Sequence, residues 1–120
     1  MIELVPALPR NCLGFIAKGE VTKSDYKDVV DPAIEQALQS TEKLSILYVL
    51  GDDVSSVDLS AMIEDAKTAH AYYDRIDKLA LVTDKPQMKT AMKAMSHFMD
   101  KDVRVFSTKE EAVASEWLTH

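Results

Sequence analysis

The chain has 120 residues, 47% of them apolar, with 3 glycines, 4 prolines and a formal charge of −6. That length holds one domain with a real core and no room for a second. A single cysteine, Cys12, excludes an intrachain disulfide scaffold, and the acidic balance argues against nucleic acid or an anionic membrane surface, both of which need a positive patch.

The opening Met1-Ile2-Glu3-Leu4-Val5-Pro6 lacks the basic start and long apolar run of a signal peptide. No apolar run reaches the roughly 20 residues that span a bilayer. A soluble, cytoplasmic protein without a transmembrane segment is expected. Ile2–Val5 reads as a short strand, broken by Pro6, Pro9 and Asn11. Cys12–Lys18 is a second apolar run closed by Gly19, and the two together predict a hairpin.

A helix follows. Thr22 reads as its N-cap, with Asp25 reaching back three residues on. Tyr26, Val29, Val30, Ala33, Ile34, Ala37 and Leu38 form one helical face. Pro32 interrupts it, so a kink or two helical pieces are predicted, Asp31 capping the second. Leu44–Leu50 is almost wholly apolar, as a strand covered on both faces is. Gly51–Asp58 reads as a polar loop. A second helix is predicted from Leu59 to Arg75, with the stripe Leu59, Met62, Ile63, Ala66, Ala69, Tyr73 and Ile76.

Lys78–Thr83 reads as another buried strand, and Pro86 suits the first turn of a third helix. Val103–Phe106 is a last strand. Thr108 with Glu111 forms a capping box for a final helix carrying Ala112, Val113, Trp117 and Leu118. The order β-β-α-β-α-β-α-β-α predicts a single α/β domain over residues 1–120. Its sheet is mixed, mostly parallel, of four to five strands with helices packed on it. In open sheets of this kind ligands bind at the carboxyl ends of strands, here Gly51–Asp58 and Thr83–Gln87.

Several segments carry a resemblance. Thr22-Lys23-Ser24-Asp25-Tyr26 resembles the helix opening of the SpoIIAA-like family of small bacterial proteins, whose fold is that of the STAS domain. Pro32-Ala33 resembles the proline within that family's first helix. Asp74-Arg75-Ile76-Asp77-Lys78-Leu79-Ala80-Leu81-Val82-Thr83-Asp84 resembles its helix-to-strand segment. Val103-Arg104-Val105-Phe106, then Glu111-Ala112 and Trp117-Leu118, resemble its ending. Two positions depart from the pattern. Pro86-Gln87 stands where members often carry a tryptophan, and Asp52-Asp53-Val54-Ser55-Ser56 is displaced from the phosphorylatable serine loop of anti-anti-sigma factors. The resemblance implies a non-enzymatic module. Its likeness in fold to CRAL-TRIO/SEC14 lipid-binding domains implies an apolar or amphipathic ligand.

The candidate binding residues are Asp52, Asp53, His70, Tyr73, Lys85, Met88, Lys89, Met92 and Met95. Met88, Met92, Met95 and Met99 step down one side of the third helix beside Phe98, suited to an adaptable pocket, a dimer face or plain core. Lys85, Lys89 and Lys93 form a basic row that suits an anionic headgroup, or a solvated face. A small apolar or amphipathic ligand, a protein partner and homo-oligomerisation are the partners expected.

Ser55, Ser56 and Ser60 are candidates for phosphorylation near the start of the second helix, where free N–H groups favour phosphate; the competing reading is helix capping. An enzyme using His70 with the acidic loop is a third reading, and Asp74 at i+4 is the partner that would tune His70. Asp52, Asp53 and Asp58 read as a solvated loop, and the three histidines show no ligand spacing, so no metal is expected. Cys12 starts an apolar strand and reads as a buried, inert thiol. No Gly-rich phosphate loop, Gly-x-Ser-x-Gly elbow or Cys-x-x-Cys is present, and no cofactor is expected.

Overall fold

The computed structural model describes residues 1–5, 8, 11–51, 54, 56–57, 74–97 and 102–119, without the side chains of residues 23, 56, 57, 91 and 95. Strand β1 (Ile2–Val5) pairs antiparallel with β2 (Cys12–Ala17), Ile2 opposite Ala17 and Val5 opposite Gly14. Strand β4 (Leu44–Leu50) pairs parallel with β2 and with β6 (Ile76–Val82), and β7 (Asp102–Phe106) pairs parallel with β6. The sheet is therefore five-stranded, mixed and mostly parallel, in the order β1-β2-β4-β6-β7. This is the architecture the alternation of elements predicts.

A second, two-stranded sheet is an addition. Strand β3 (Glu20–Val21) pairs parallel with β5 (Ser56–Val57). Ser56, expected near a helix start, lies instead in this ladder, and the segment after β4 is not loop throughout. Two-residue strands carry no hydrophobic period, so nothing in the sequence marks them. Ile76 also moves: it opens β6 opposite Leu44, rather than closing a helical stripe.

The helix before β4 runs without a break but changes pitch twice. Thr22 donates its N–H to the Asp25 carboxylate at 2.8 Å, the reach-back half of a capping box. One short turn, α1 (Lys23–Asp25), runs into a π-helical stretch (Tyr26–Val30) and then α2 (Asp31–Ala37). The Asp31 N–H donates to the Tyr26 carbonyl, five residues back. Pro32 accounts for this. Its ring collides with the carbonyl four residues earlier, and a wider turn relieves the collision. Asp31 does not cap α2. It is the first residue of α2, and the cap position falls on Val30.

Helix α3 (Pro86–Ser96) begins at its proline, as expected. The last helix, α4 (Glu111–Leu118), follows a single 3₁₀ turn (Thr108–Glu110). Its capping box is Ser107 with Glu110, one residue earlier than expected. Both hydroxyl residues have an acid three positions on. Thr108 is not free to cap because Asp84 holds it.

Side chains alternate across the strands and divide the core in two. Leu44, Ile46, Tyr48, Leu50, Leu79 and Leu81 face a layer holding Tyr26, Val30, Ile34, Leu38 and Met92. Leu47, Val49, Ala80 and Val82 face Ala114 and Leu118 of α4. Every residue of β4 is buried, which is why its sequence is continuous in apolar residues rather than alternating.

Candidate functional site

The connections that leave β6 and β7 diverge. After β6 the chain passes to α3 on one face; after β7 it passes to α4 on the other. Neighbouring parallel strands whose exits part in this way leave a crevice at their carboxyl ends, the usual binding position in open α/β sheets.

Here polar contacts draw the crevice together. Thr83 is wholly buried, and its N–H donates to the Phe106 carbonyl at 2.9 Å. Its hydroxyl oxygen accepts the Lys85 N–H at 3.2 Å. The Asp84 carboxylate accepts the Thr108 N–H at 2.9 Å and the Thr108 hydroxyl as well. Those two donors, the hydroxyl foremost, hold the Asp84 carboxyl below its ordinary range, with Lys89 and Lys109 helping. The Glu110 carboxyl is likewise held low by the Ser107 N–H and hydroxyl. The Lys85 ammonium donates to the Val54 carbonyl, in the segment after β4. Three carboxyl-end connections are thus tied by side chains of Asp84 and Lys85.

Lys85 and Lys89 are half-buried, four residues apart, one just before α3 and the other in its first turn, while Lys93 is exposed. Met88 lies between them in sequence, half-buried and packed against the core. Met92 is fully buried in that core. Met95 belongs to α3 by its backbone. Asp52, Asp53, Ser55, Ser60, His70 and Tyr73 lie outside the described residues, as do Asp58, Phe98 and Met99. Among the described residues no three His, Cys, Asp or Glu side chains group to hold a metal, and no helix is long and apolar enough to cross a membrane.

Cys12 is buried, with its Sγ 4.0 Å from the Leu118 carbonyl. Burial pushes its thiol up, against a weaker downward pull from Lys78. A thiol so placed is a poor nucleophile.

The sequence places a site at Thr83–Gln87 but does not single out Thr83 or Asp84 within it, and it gives Thr108 only as a helix cap. The available signal was positional: each is a polar residue one or two positions past the carboxyl end of a strand on the crevice side.

A family model described as SpoIIAA-like matches residues 12–119. The chain belongs to the SpoIIAA-like family. One similar solved structure is an uncharacterised protein from the DUF3478 family with a SpoIIAA-like fold, from Shewanella loihica PV-4. It shares 21% identity at a TM-score of 0.72, covering 98% of this chain and 93% of the other. At that identity the likeness is one of fold. No curated protein matches the chain. Within this SpoIIAA-like domain the segment from Asp74 to Asp84 has a physical account at both ends. Arg75 binds carbonyls that follow α2, and Asp84 holds the start of the α4 segment.

Proposed function

We propose that this SpoIIAA-like domain is a non-enzymatic binding module for a small amphipathic ligand with an anionic head. The binding rim is the start of α3. The observation that carries the reading is the placement of Met88. It sits half-buried at the edge of the core, flanked along the chain by the Lys85 and Lys89 ammonium groups. An apolar tail would displace little to lie along the flexible thioether, and the two cations would meet the head. Asp84, the nearest described carboxylate in sequence, accepts two hydrogen bonds from Thr108, which offset part of its repulsion of an incoming anion. Asp52, Asp53, His70, Tyr73 and Met95 belong to the same proposed site by sequence position.

Laurate and its uncharged counterpart dodecanol are suitable probes, followed by amide chemical shifts. Shifts are expected to be confined to residues 83–95, the segment around Val54, and the neighbourhood of His70 and Tyr73. Lys85→Ala with Lys89→Ala should weaken laurate by about tenfold or more and leave dodecanol nearly unchanged, since two partly exposed charge contacts are lost. No shift with either probe, together with no small molecule retained in native mass spectrometry of the purified protein, rejects the reading.

A further inference from the structure

A second surface, on the face of the sheet opposite α3, is marked by Arg104. Strand β7 is the last in the sheet, and no described segment pairs with its outer edge. Arg104 lies exposed on that strand with its guanidinium carbon 5.0 Å from the centroid of the Trp117 ring. Lys78 approaches the same ring at 5.4 Å, but its ammonium is bound to the Trp117 carbonyl at 3.2 Å. Arg104 forms no ion pair among the described residues. The cation–π contact holds the guanidinium beside the indole, and its N–H groups can still donate to a carboxylate.

The only other charge on the strand's same face is Asp102, two residues earlier and also exposed. This spacing matters for self-pairing. A two-fold axis perpendicular to the sheet keeps each helical layer continuous across the junction and pairs residues of like face. Centred on Asp102 it sets two aspartates opposite each other, and centred on Arg104 it sets two arginines opposite each other. Centred on Val103 it sets Asp102 against the partner's Arg104 and Arg104 against the partner's Asp102. On the other face the two copies of Val103, each packed against its own core, meet at the axis.

We infer that β7 is a dimerisation edge. It joins a second copy of this chain by antiparallel pairing centred on Val103, into one ten-stranded sheet with two Asp102–Arg104 pairs across the junction. The edge hydrogen bonds supply the attachment and the charges select the register. The alternative, that Arg104 is an edge charge that keeps other strands away, predicts the opposite behaviour in solution.

Sedimentation equilibrium separates the two. Wild-type protein is expected to be dimeric at tens of micromolar, and added salt should weaken it. Asp102→Arg and Arg104→Asp should each self-associate at least about tenfold more weakly, because each turns two attractive pairs into repulsive ones. An equimolar mixture of the two variants should regain a dimer. The first variant carries arginine at both positions and the second aspartate at both, so every cross-junction pair in the mixed dimer is attractive. Unchanged circular dichroism shows that each variant still folds. A wild-type monomer at millimolar concentration overturns the inference. So does a dimer that survives in both variants, or a mixture that stays monomeric.

Discussion

Asp84 and Thr108 join the ends of two adjacent parallel strands, the carboxylate accepting from both the backbone N–H and the hydroxyl of the threonine. The bond closes the gap that opens where α3 and α4 depart to opposite faces. Because these donors lower the Asp84 carboxyl in the folded protein, the unfolded chain takes up protons at a higher pH than the folded one. Asp25 and Glu110 are lowered too, by the Thr22 and Ser107 N–H groups foremost. Their contribution to stability is complete above the ordinary carboxylate range. It is lost progressively as pH falls through that range to the lowered folded values. Asp84→Asn and Thr108→Val are each expected to lower the urea midpoint at neutral pH and to flatten its decline in acid. A parallel decline in wild type and both variants would show that the bond contributes nothing to acid stability.

Arg75 closes the other end of the same sequence segment. Its Nη2 donates to the carbonyls of Leu38 at 2.8 Å and Thr41 at 2.9 Å, and its Nε to that of Glu42 at 3.0 Å. One rigid fork thus satisfies three carbonyls that follow α2. Arg75→Met should destabilise the domain by about 1.5–3 kcal/mol, the range for hydrogen bonds to a charged group. Arg75→Lys should recover little, because an ammonium cannot span the same three acceptors. Urea denaturation of the three proteins checks both statements, and a lysine variant as stable as wild type would refute the second.

These two clamps show what the sequence makes legible. Leu44–Leu50 announces its strand because burial on both faces demands apolar residues at every position. Pro86 and Gly19 mark boundaries by covalent geometry alone. Ser107 and Thr108 do not disclose which of them caps, since Glu110 and Glu111 serve them equally well. The choice is made by Asp84, 24 residues away. The candidate site divides in the same way. The Lys85–Lys89 row follows from helical spacing, whereas the Asp84–Thr108 and Lys85–Val54 contacts need the strand order to be known. Met88 and Met92 share a stripe, yet one is half-buried and the other wholly so, a difference that helical spacing alone does not give.

Two glycines separate two kinds of constraint. At Gly14 an added Cβ would come within 2.7 Å of Leu8 Cδ1 and 2.9 Å of Val5 Cβ. The leucine can turn, but the valine Cβ is fixed by the β1–β2 pairing. Gly14→Ala should cost about 1–3 kcal/mol by overpacking. At Gly19 nothing lies within 4 Å, but φ is +59°. Gly19→Ala should cost about 1–2 kcal/mol through backbone strain alone, and Gly19→Asn less. Thermal unfolding of the three variants is the check. Equal losses for Ala and Asn at position 19 would exclude a left-handed backbone as the cause.

Tyr26 and Tyr48 place two hydroxyls 3.2 Å apart inside the core beneath the π-helical turn. Both rings are almost wholly buried. Burial, with the neighbouring Tyr26 adding to it, pushes the Tyr48 phenol far above its ordinary value. The folded protein therefore keeps this proton at a pH where the unfolded chain releases it. The resulting stability is complete below the ordinary phenol value of about 10 and declines as pH rises above it. In alkaline titration the Tyr48 phenolate should appear only together with loss of the far-ultraviolet dichroism. Tyr48→Phe should cost about 1 kcal/mol at neutral pH by losing the hydroxyl contact, and should lessen the decline in alkali. The wild-type-minus-variant absorbance isolates this one phenol from the other three tyrosines. A reversible phenolate signal near the ordinary phenol value in that difference, with the dichroism intact, would place Tyr48 in contact with water and refute the buried pair.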